Sequence, residues 1–470
     1  MRLAERVGLH RLVRDRVRGL APSVGANPAG KVATVVAGMV AGADSIDDLG
    51  VVRHGGMPAL FGGVYAPSTL GSFLRSFSHG HVLQLQSAAR EMLVGLSART
   101  PLLVGADQLC FVDIDSVLRR MYGRGKQGVA FGHTKVGGYP VLLRGLNPLI
   151  ATICTPAAAP VVAATRLRGG NAGSARGAAS MVAQAIGTAK DCGASSEIVM
   201  RADSAFFAKK VLWACRRNGA RFSVTVALDA KVRTAITAIP DGAWVAIKYP
   251  NAIWDDDEQR WISEAQIAEI AYTAFAGTRY EITARLIVRR VPCRDRQVDP
   301  GQAQLFATWR YHALFTDSTF VLVQAEAQHR GHAVIEQVLA DFIDGPLAHL
   351  PSGDFAANGA WLTLAGVAHN LTRAAGHLAA PHYGVPAPPL SVASWSTSPP
   401  VWPAVPGRSS CTYLNAGPGR TPGTASSPLC TPHQPDCPQQ TLVAVDATTV
   451  PWNSQPATGA SRQRDRQGPR

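Results

Sequence analysis

The chain has 470 residues, of which 46% are hydrophobic, and it carries 46 Lys and Arg against 32 Asp and Glu, a formal net charge of +14. That length predicts two or three domains with ample core, and the positive excess favours a polyanionic partner, nucleic acid first. No uninterrupted apolar run of about 20 residues occurs, so no membrane contact is expected, and no signal peptide is predicted. The eight cysteines show no C-x-x-C spacing, which disfavours a zinc site and predicts reduced thiols in a cytoplasmic protein.

Residues 1–100 are predicted to be a helical domain. Apolar positions at helical spacing predict helices near 9–20, 31–40 and 67–77, and the acidic pair after Ser45 predicts another. Short helices with basic outward faces fit a helix-turn-helix-like DNA-binding domain, in which Arg75 is our choice for a DNA contact. An ordinary helical subdomain with a solvated basic face fits the same pattern.

From Leu102 the pattern becomes β-rich. Residues 109–116 predict a strand ending in D-x-D, and the two-residue period places Asp113 and Asp115 on one face. Two carboxylates on one face repel unless a cation or proton lies between them; a strand end entering a turn is the alternative. The basic, glycine-rich segment that follows, with Lys126 and Lys135, is predicted to be a hairpin linker between strands.

Two strands are predicted near 149–155 and 160–165, then a helix reaching about Lys190. Arg166 and Arg168 stand at its entrance, where they could neutralise phosphates. A short strand over 196–200 leads to Asp203, which is either a site carboxylate or the N-cap of the next helix. The order strand, strand, strand, helix, strand, helix is that of a ribonuclease-H-like core.

The C-terminal part divides into a β-leaning segment, a helical segment and a tail. Residues 221–310 are predicted to be a β-rich insertion, and residues 311–382 the last part of a core begun at 101–220. A helix from Ala325 is predicted to bring His329, His332 and Glu336 near one face. The H-x-x-H pair could suggest zinc, but no third soft ligand follows it. Sixteen of the 32 prolines lie beyond 384, so residues 383–470 are expected to be disordered.

Three acidic positions form the candidate site: Asp113 or Asp115 on a strand, Asp203 after a strand, and Glu336 on a helix. Hard oxygen ligands suit Mg²⁺ or Mn²⁺. Two such ions activate a water or 3′-hydroxyl and stabilise the leaving oxygen in phosphoryl transfer, and the basic chain fits a DNA substrate for that chemistry.

The sequence resembles DDE transposases of the insertion-sequence 1380 family. The matching stretches include GANPAGKVATVVAGMVAGADSIDDL, APSTLGSFLRSFSHGHV, FVDIDSVLRRMYGRGKQGVAFGHTKV, RLRGGNAGSARGA, RADSAFF, and HRGHAVIE followed by PSGDFAANGAWL. The resemblance covers roughly residues 1–380. It implies a ribonuclease-H-like catalytic core with a β-rich insertion, binding of terminal inverted repeats, strand cleavage and strand transfer. It also implies a homodimer on double-stranded DNA and association with the bacterial nucleoid.

By this resemblance Asp115 is the first catalytic acid, with Asp113 as the competing choice, and Asp203 and Glu336 are the second and third. Where related transposases carry a Tyr–Arg–Glu–Lys pattern, this chain has His329, His332, Glu336 and Ile343. His332 could contact a phosphate only when protonated. Two alternatives stay open: a catalytically silent DNA-binding relic, and a ribonuclease-H-fold nuclease without strand transfer.

The abrupt change near Tyr383 carries an expectation of its own. Related transposases continue helical and arginine-rich, whereas this chain becomes rich in Pro, Ser, Thr and Gly. A translation frame shifted by one nucleotide would produce such a composition. We therefore expect a frameshifted, disordered tail from about residue 384.

Overall fold

The computed structural model describes residues 1–59, 61–136, 139–255, 260–292 and 309–379. Its α-helices are α1 (Arg2–Val7), α2 (Leu9–Arg16), α3 (Pro22–Gly25), α4 (Pro28–Val40), α5 (Pro67–Arg75), α6 (His79–Ser97), α7 (Ala178–Asp191), α8 (Lys209–Arg217), α9 (Ala230–Thr237), α10 (Leu322–Arg330), α11 (Val334–Ile343) and α12 (Phe355–Ala379). Its strands are β1 (Leu109–Ser116), β2 (Arg119–Arg120), β3 (Ala130–Val136), β4 (Tyr139–Leu146), β5 (Leu149–Thr155), β6 (Ala158–Arg166), β7 (Glu197–Ala202), β8 (Arg221–Val226), β9 (Val245–Asp255), β10 (Arg260–Ala274), β11 (Ile282–Pro292) and β12 (Trp309–Thr316). The tail from residue 383, with its predicted disorder and frameshift, lies outside the described residues.

The largest feature of the described chain is a nine-stranded sheet in the order β6-β5-β1-β7-β8-β12-β11-β10-β9. Strand β1 runs antiparallel to β5 and parallel to β7, and β7 runs parallel to β8. Every residue of β5 is buried, the continuous apolar pattern typical of a strand covered on both faces. Because β1 and β7 are parallel neighbours, the residues that follow them emerge at the same edge of the sheet.

The strands predicted between residues 221 and 310 are present, but they do not form a separate sheet. Strand β12 pairs antiparallel with β8, with Ala313–Thr316 opposite Ser223–Val226. The Thr316 hydroxyl also donates to the carbonyl oxygen of Phe222, at 2.8 Å. Strands β9 to β11 follow β12 outward, so the β-rich segment extends the main sheet.

The N-terminal helices share their hydrophobic core with the main sheet. The predicted helix beginning at Pro67 is confirmed as α5, and its predicted apolar face is buried (Leu70, Phe73, Leu74 and Phe77). Helices α4, α5 and α6 contact α12, which in turn packs on β6. The first and last described parts of the chain thus cover the same strand. Over the described ranges, we find no helix with the length and apolarity needed to span a bilayer.

A second, three-stranded sheet has the order β2-β4-β3 and interrupts the path from β1 to β5. The sequence predicted only a hairpin linker here, whereas β3 and β4 are full strands paired from Ala130 opposite Gly145 to Val136 opposite Tyr139. A Cβ added at Gly132 would lie 2.2 Å from the carbonyl oxygen of Gly170. The glycines of this segment therefore serve close packing between the small sheet and the loop before α7.

The helix predicted to run on from Ala325 is broken in two. Helix α10 ends at Arg330, a 3-10 turn covers Gly331–Ala333, and α11 begins at Val334. The Arg201 guanidinium donates to the carbonyl oxygen of Gln328 at 2.7 Å. In a continuous α-helix that carbonyl would accept from the N–H of residue 332. A Cβ at position 331 would approach Arg201 Nη1 to 2.9 Å, so the glycine accommodates the arginine.

Candidate active site

Asp115 and Asp203 lie where the neighbouring parallel strands β1 and β7 end. Asp113 on β1 pairs in register with Arg201 on β7. Asp115 and Asp203 each lie two residues beyond this pair along the chain. Glu336 is in the first turn of α11, which contacts β1. Asp203 and Glu336 are exposed and Asp115 is partly buried. The three carboxylates therefore belong to one edge of the sheet.

The charges of the other two carboxylates act on Asp115. Burial, with the charges of Asp203 and Glu336, raises the pKa of Asp115 to about 6, although the Ser116 N–H and His332 act in the opposite direction. Desolvation by the surrounding protein also raises the pKa values of Asp203 and Glu336, and His332 opposes both increases. Clustered carboxylates with raised pKa values resist being negative together, and a cation between them removes that penalty.

Asp203 also caps local structure, although it caps a 3-10 turn and not, as the alternative interpretation of the sequence expected, the next helix. Its Oδ1 accepts from the Ala205 N–H at 3.1 Å, at the start of a 3-10 turn over Ser204–Phe206. The following helix begins only at Lys209. The cap orients the carboxylate at the sheet edge, so the structural and functional interpretations of Asp203 are compatible.

Asp113 has a different environment from Asp115. It is fully buried, and its two oxygens accept from Nε and Nη2 of Arg201, each at 2.7 Å. Burial alone would raise its pKa, but Arg201 and His332 outweigh burial and lower the pKa to about 2. The guanidinium lies 3.9 Å from the centre of the Phe111 ring. We therefore leave Asp113 out of the predicted metal-binding set, because both of its oxygens are engaged by Arg201.

His332 lies between the buried ion pair and the carboxylate edge. Its Nδ1 is 3.2 Å from Asp113 Oδ1, and it acts on the pKa values of Asp115, Asp203 and Glu336. The sequence selected His332 as a DNA contact. The structure adds that Nδ1 of His332 is within hydrogen-bonding distance of the buried Asp113 carboxylate.

His329 does not share a face with His332 and Glu336, and that part of the sequence interpretation is wrong. Its Nδ1 and Nε2 are each 2.9 Å from a hydroxyl, those of Ser223 and Thr225 on β8. Burial lowers the pKa of His329 to about 3, which keeps the ring neutral. The break at Gly331 and the two hydroxyls turn His329 towards the sheet, so it joins α10 to β8.

The predicted DNA contacts occupy unlike environments. Arg75 is exposed at the end of α5, with Nη2 3.3 Å from Ser72 Oγ. Lys126 is partly buried in the loop between β2 and β3, and Lys135 lies on β3, where the structure does not describe its side chain. Arg166 donates to the Gly177 carbonyl oxygen and to Ser180 Oγ at the start of α7.

Arg168 is a structural residue, contrary to the expectation that it faces phosphates. It is only 6% exposed. Its Nη1 donates to the carbonyl oxygens of Ser174 and Arg176, and its Nη2 donates to Asn147 Oδ1 at 2.6 Å. A guanidinium used in this way fastens the loop before α7 to the small sheet.

Sequence reasoning missed Arg201, the residue that organises the site. It touches Asp113 on β1 and the Gln328 carbonyl at the end of α10, and so joins a strand to the turn before the glutamate helix. The sequence contained one indication of its role, because Arg201 is a charged residue that directly continues the apolar strand predicted over 196–200. A buried charge requires a partner, but the sequence does not indicate which of the chain's acids pairs with it.

The profile of the transposase DDE domain group 1 family matches residues 36–383. The chain belongs to this family. A comparison with curated proteins gives no match. Membership in a DDE transposase family implies an enzyme that acts on DNA by cleavage and transfer, generally with divalent metal ions.

The side chains of this DDE transposase fit such ions in chemical type. Carboxylate oxygens are the ligands that Mg²⁺ and Mn²⁺ prefer, and Asp115, Asp203 and Glu336 carry the raised pKa values that a cation would reverse. Across the described ranges, no three His, Cys, Asp or Glu side chains stand close enough together to hold an ion as they are.

Proposed function

We propose that this DDE transposase belongs to the insertion-sequence 1380 family and mobilises its own element. In this proposal it binds the terminal inverted repeats, cleaves DNA strands by hydrolysis and transfers them into target DNA. The observation that carries the proposal is the coupling of Asp115 to Asp203 and Glu336. Acids separated by up to 221 positions share one sheet edge, in a chain whose net charge of +14 suits a DNA substrate.

The order of the strands supports a ribonuclease-H-like core. Along β6-β5-β1 the neighbours are antiparallel, and along β1-β7-β8 they are parallel, with α7 between β6 and β7 in the chain. We propose that residues 101–220 and 311–382 form this core and residues 221–310 a β-rich extension of it. Residues 1–100 would be the helical DNA-binding domain.

In this proposal Asp115, Asp203 and Glu336 hold two Mg²⁺ or Mn²⁺ ions. Such ions, when bound, activate a water or a 3′-hydroxyl for in-line attack on a phosphodiester and stabilise the leaving oxygen. The chain's own contribution is placement: Arg201 and Asp113 fix β1 against the turn before α11, and this contact positions Glu336 relative to Asp115. Asp113 and Arg201 are therefore positioning residues, not metal ligands.

The DNA would be held by cations outside the carboxylate edge. We propose Arg75, Lys126, Lys135 and Arg166 as phosphate contacts, with His332 at the edge itself, and we leave out Arg168 because it is buried. Two copies would act together on paired element ends as a homodimer, in association with the nucleoid.

The first prediction tests this proposal by nicking of a duplex that carries the element's terminal repeat. Asp115→Asn, Asp203→Asn and Glu336→Gln should each reduce Mg²⁺-dependent nicking by at least about 10³-fold, since the ion ligands are lost while the volume is kept. Binding of the same duplex should change less than about threefold, because phosphate contacts lie elsewhere. Asp241→Asn, at an exposed turn, is the matched control and should cut normally.

The outcomes separate the alternatives. Wild-type protein that binds the repeats without nicking them is a silent DNA-binding relic. Protein that nicks but never joins the released 3′ end to a target is a nuclease. If Asp113 is a positioning residue, Asp113→Asn should cut DNA at least as well as Asp115→Asn does. Normal cutting by Asp115→Asn would remove Asp115 from the proposed site.

A further inference from the structure

The small sheet exposes apolar and aromatic side chains on one face. We call this face the outer face and define it by Phe131 and His133 on β3 with Arg144 and Leu142 on β4. Phe131 lies opposite Arg144, and His133 opposite Leu142. Directly opposed residues share a face with Cβ atoms about 5 Å apart, so the four side chains form one contiguous patch.

The other face of the small sheet is covered. It contains Gly132 and Gly145, and a Cβ added at Gly170 would lie 2.2 Å from the carbonyl oxygens of both Ala130 and Gly145. The loop before α7 thus packs against that face. Phe131 is nevertheless 60% exposed and Leu142 54% exposed. Exposed apolar residues grouped on a face of this kind mark an interaction surface.

The charge of this part of the chain indicates what kind of partner would bind. Residues 116–190 contain no Asp or Glu and ten Lys or Arg. On the outer face, Arg144 lies opposite Phe131 in the pairing register, and its guanidinium donates to the carbonyl oxygen of Gly123 at 2.7 Å. Aromatic rings among cations, without acids, are the pattern that binds single-stranded nucleic acid, where bases stack and phosphates are neutralised.

The outer face is also tied to the carboxylate edge. The small sheet is inserted in the chain directly after Asp115, and the loop packed against its covered face contains Arg168. Burial lowers the pKa of Arg168, and the charge of Asp115 opposes this decrease. The same Arg168 fastens that loop to Asn147, just after β4. The small sheet that carries the outer face is therefore joined, through Asn147 and Arg168, to a loop on which the charge of Asp115 acts.

We propose that the outer face binds an unpaired DNA strand, with a base stacked on Phe131 and the backbone held by neighbouring cations. The proposal rests on the proposed function, since it concerns how the same DNA is held. A second copy of this chain is the competing occupant. It is disfavoured because two surfaces of like charge repel.

The experiment measures binding of full-length protein to a mixed-sequence duplex with a single-stranded 3′ overhang, and to the blunt duplex, by fluorescence anisotropy without divalent metal. Stacking tolerates any base sequence, so the repeat sequence is not needed. Phe131→Leu should weaken overhang binding about tenfold and blunt-duplex binding less than about twofold. Phe131→Trp should restore overhang binding, because the ring is replaced by a larger one.

Two controls define the result. Leu378→Ala, at a residue 57% exposed on α12 and outside the outer face, should leave both affinities unchanged. A 2-aminopurine in the overhang should be quenched on binding to wild type and not on binding to Phe131→Leu. Equal weakening for both duplexes, or full overhang affinity in Phe131→Leu, overturns the proposal. A concentration-dependent dimer that Phe131→Ala abolishes would instead assign the face to a second copy.

Failure of this inference can be distinguished from failure of the proposed function. Asp115→Asn should bind the overhang as wild type does, because no cleavage is involved in the measurement. Quenching without any nicking by wild type would keep the stacking surface and reject the catalytic proposal. Nicking by the wild type without quenching would keep the catalytic proposal and reject the stacking surface.

Discussion

Two neighbouring regions of the main sheet differ in whether their charged side chains are paired with groups of opposite charge. In the interior of β1 and β7, Asp113 and Arg201 are buried and paired, and His329 nearby is neutral between two hydroxyls. At the ends of the same strands lie Asp115 and Asp203, with Glu336 nearby on α11, and the charges of Asp203 and Glu336 raise the pKa of Asp115.

The difference shows how one strand can hold a structural and a functional acid two residues apart. In the interior, each charge has a partner at hydrogen-bonding distance, which is the usual condition for a buried ion. At the edge, Asp115 and Asp203 accept backbone N–H groups, yet burial and the charges of the other two acids still raise the pKa of Asp115, and a metal ion would relieve that cost. The interior pair thus joins β1 to β7, and the edge carries the acids that we propose as metal ligands.

The largest effect is expected from breaking the interior pair. Arg201→Met should lower the free energy of unfolding by about 3–5 kcal/mol, because Asp113 would stay buried without its cation. Urea denaturation followed by circular dichroism measures the change. The control is Arg16→Met, which removes an exposed ion pair with Glu91 and should cost about 0–1 kcal/mol. Equal losses in the two variants would show that the buried pair contributes no more than a surface pair.

A smaller effect is expected from the neutral histidine of the interior. His329→Ala should cost about 1–3 kcal/mol, because the Ser223 and Thr225 hydroxyls lose their partner. The pKa of His329 is about 3 in the folded chain, against about 6.5 when unfolded. Between these values only the unfolded state binds the proton, so this part of the stability is present above about pH 6.5 and is lost as the pH falls towards 3.

Unfolding titrations of wild type and His329→Ala across that pH range test the assignment. The acid-induced loss should be shallower in the variant, because its unfolded state gains no proton at position 329. The control is Leu378→Ala, which removes an exposed side chain that does not titrate and should keep the wild-type pH dependence. A variant slope equal to the wild-type slope would mean that His329 titrates normally in the folded protein.

The smallest effect, of opposite sign, is expected at the carboxylate edge. Without divalent metal, Asp115→Asn should raise the free energy of unfolding by about 1 kcal/mol at neutral pH, since a costly charge is removed. The pKa of Asp115 is raised to about 6, so the gain should be full above that pH and vanish on acidification towards about pH 4. Asp113→Asn, two residues away, should be destabilising under the same conditions. If both asparagine variants lost stability, the contrast between interior and edge would be refuted.

The sequence by itself determined the local elements and the positions of the edge acids. Period-two and continuous apolar patterns predicted β1, β5, β6 and β7, because burial of one or both faces of a strand leaves that pattern. Helix-spaced apolar residues predicted α5 and α12 for the same reason. Asp203 was identified because a carboxylate directly after a buried strand is costly without a partner or a metal, and the two-residue period placed both Asp113 and Asp115 on one face of β1. Glu336 was identified as the acid on the predicted helix from Ala325, and the family resemblance made it the third catalytic acid and preferred Asp115 to Asp113.

Only the tertiary structure decided which charges are paired and where the chain departs from its local pattern. Asp113 and Arg201 are 88 residues apart, and alternation alone gave Asp113 the same standing as Asp115. The break at Gly331 arises because Arg201, from another strand, takes a helix carbonyl, and Arg168 is buried because carbonyls of its own loop surround it. Each of these depends on desolvation and on partners distant in sequence or gathered by a folded loop. Those quantities come into existence only when the sheet assembles, so no local pattern encodes them.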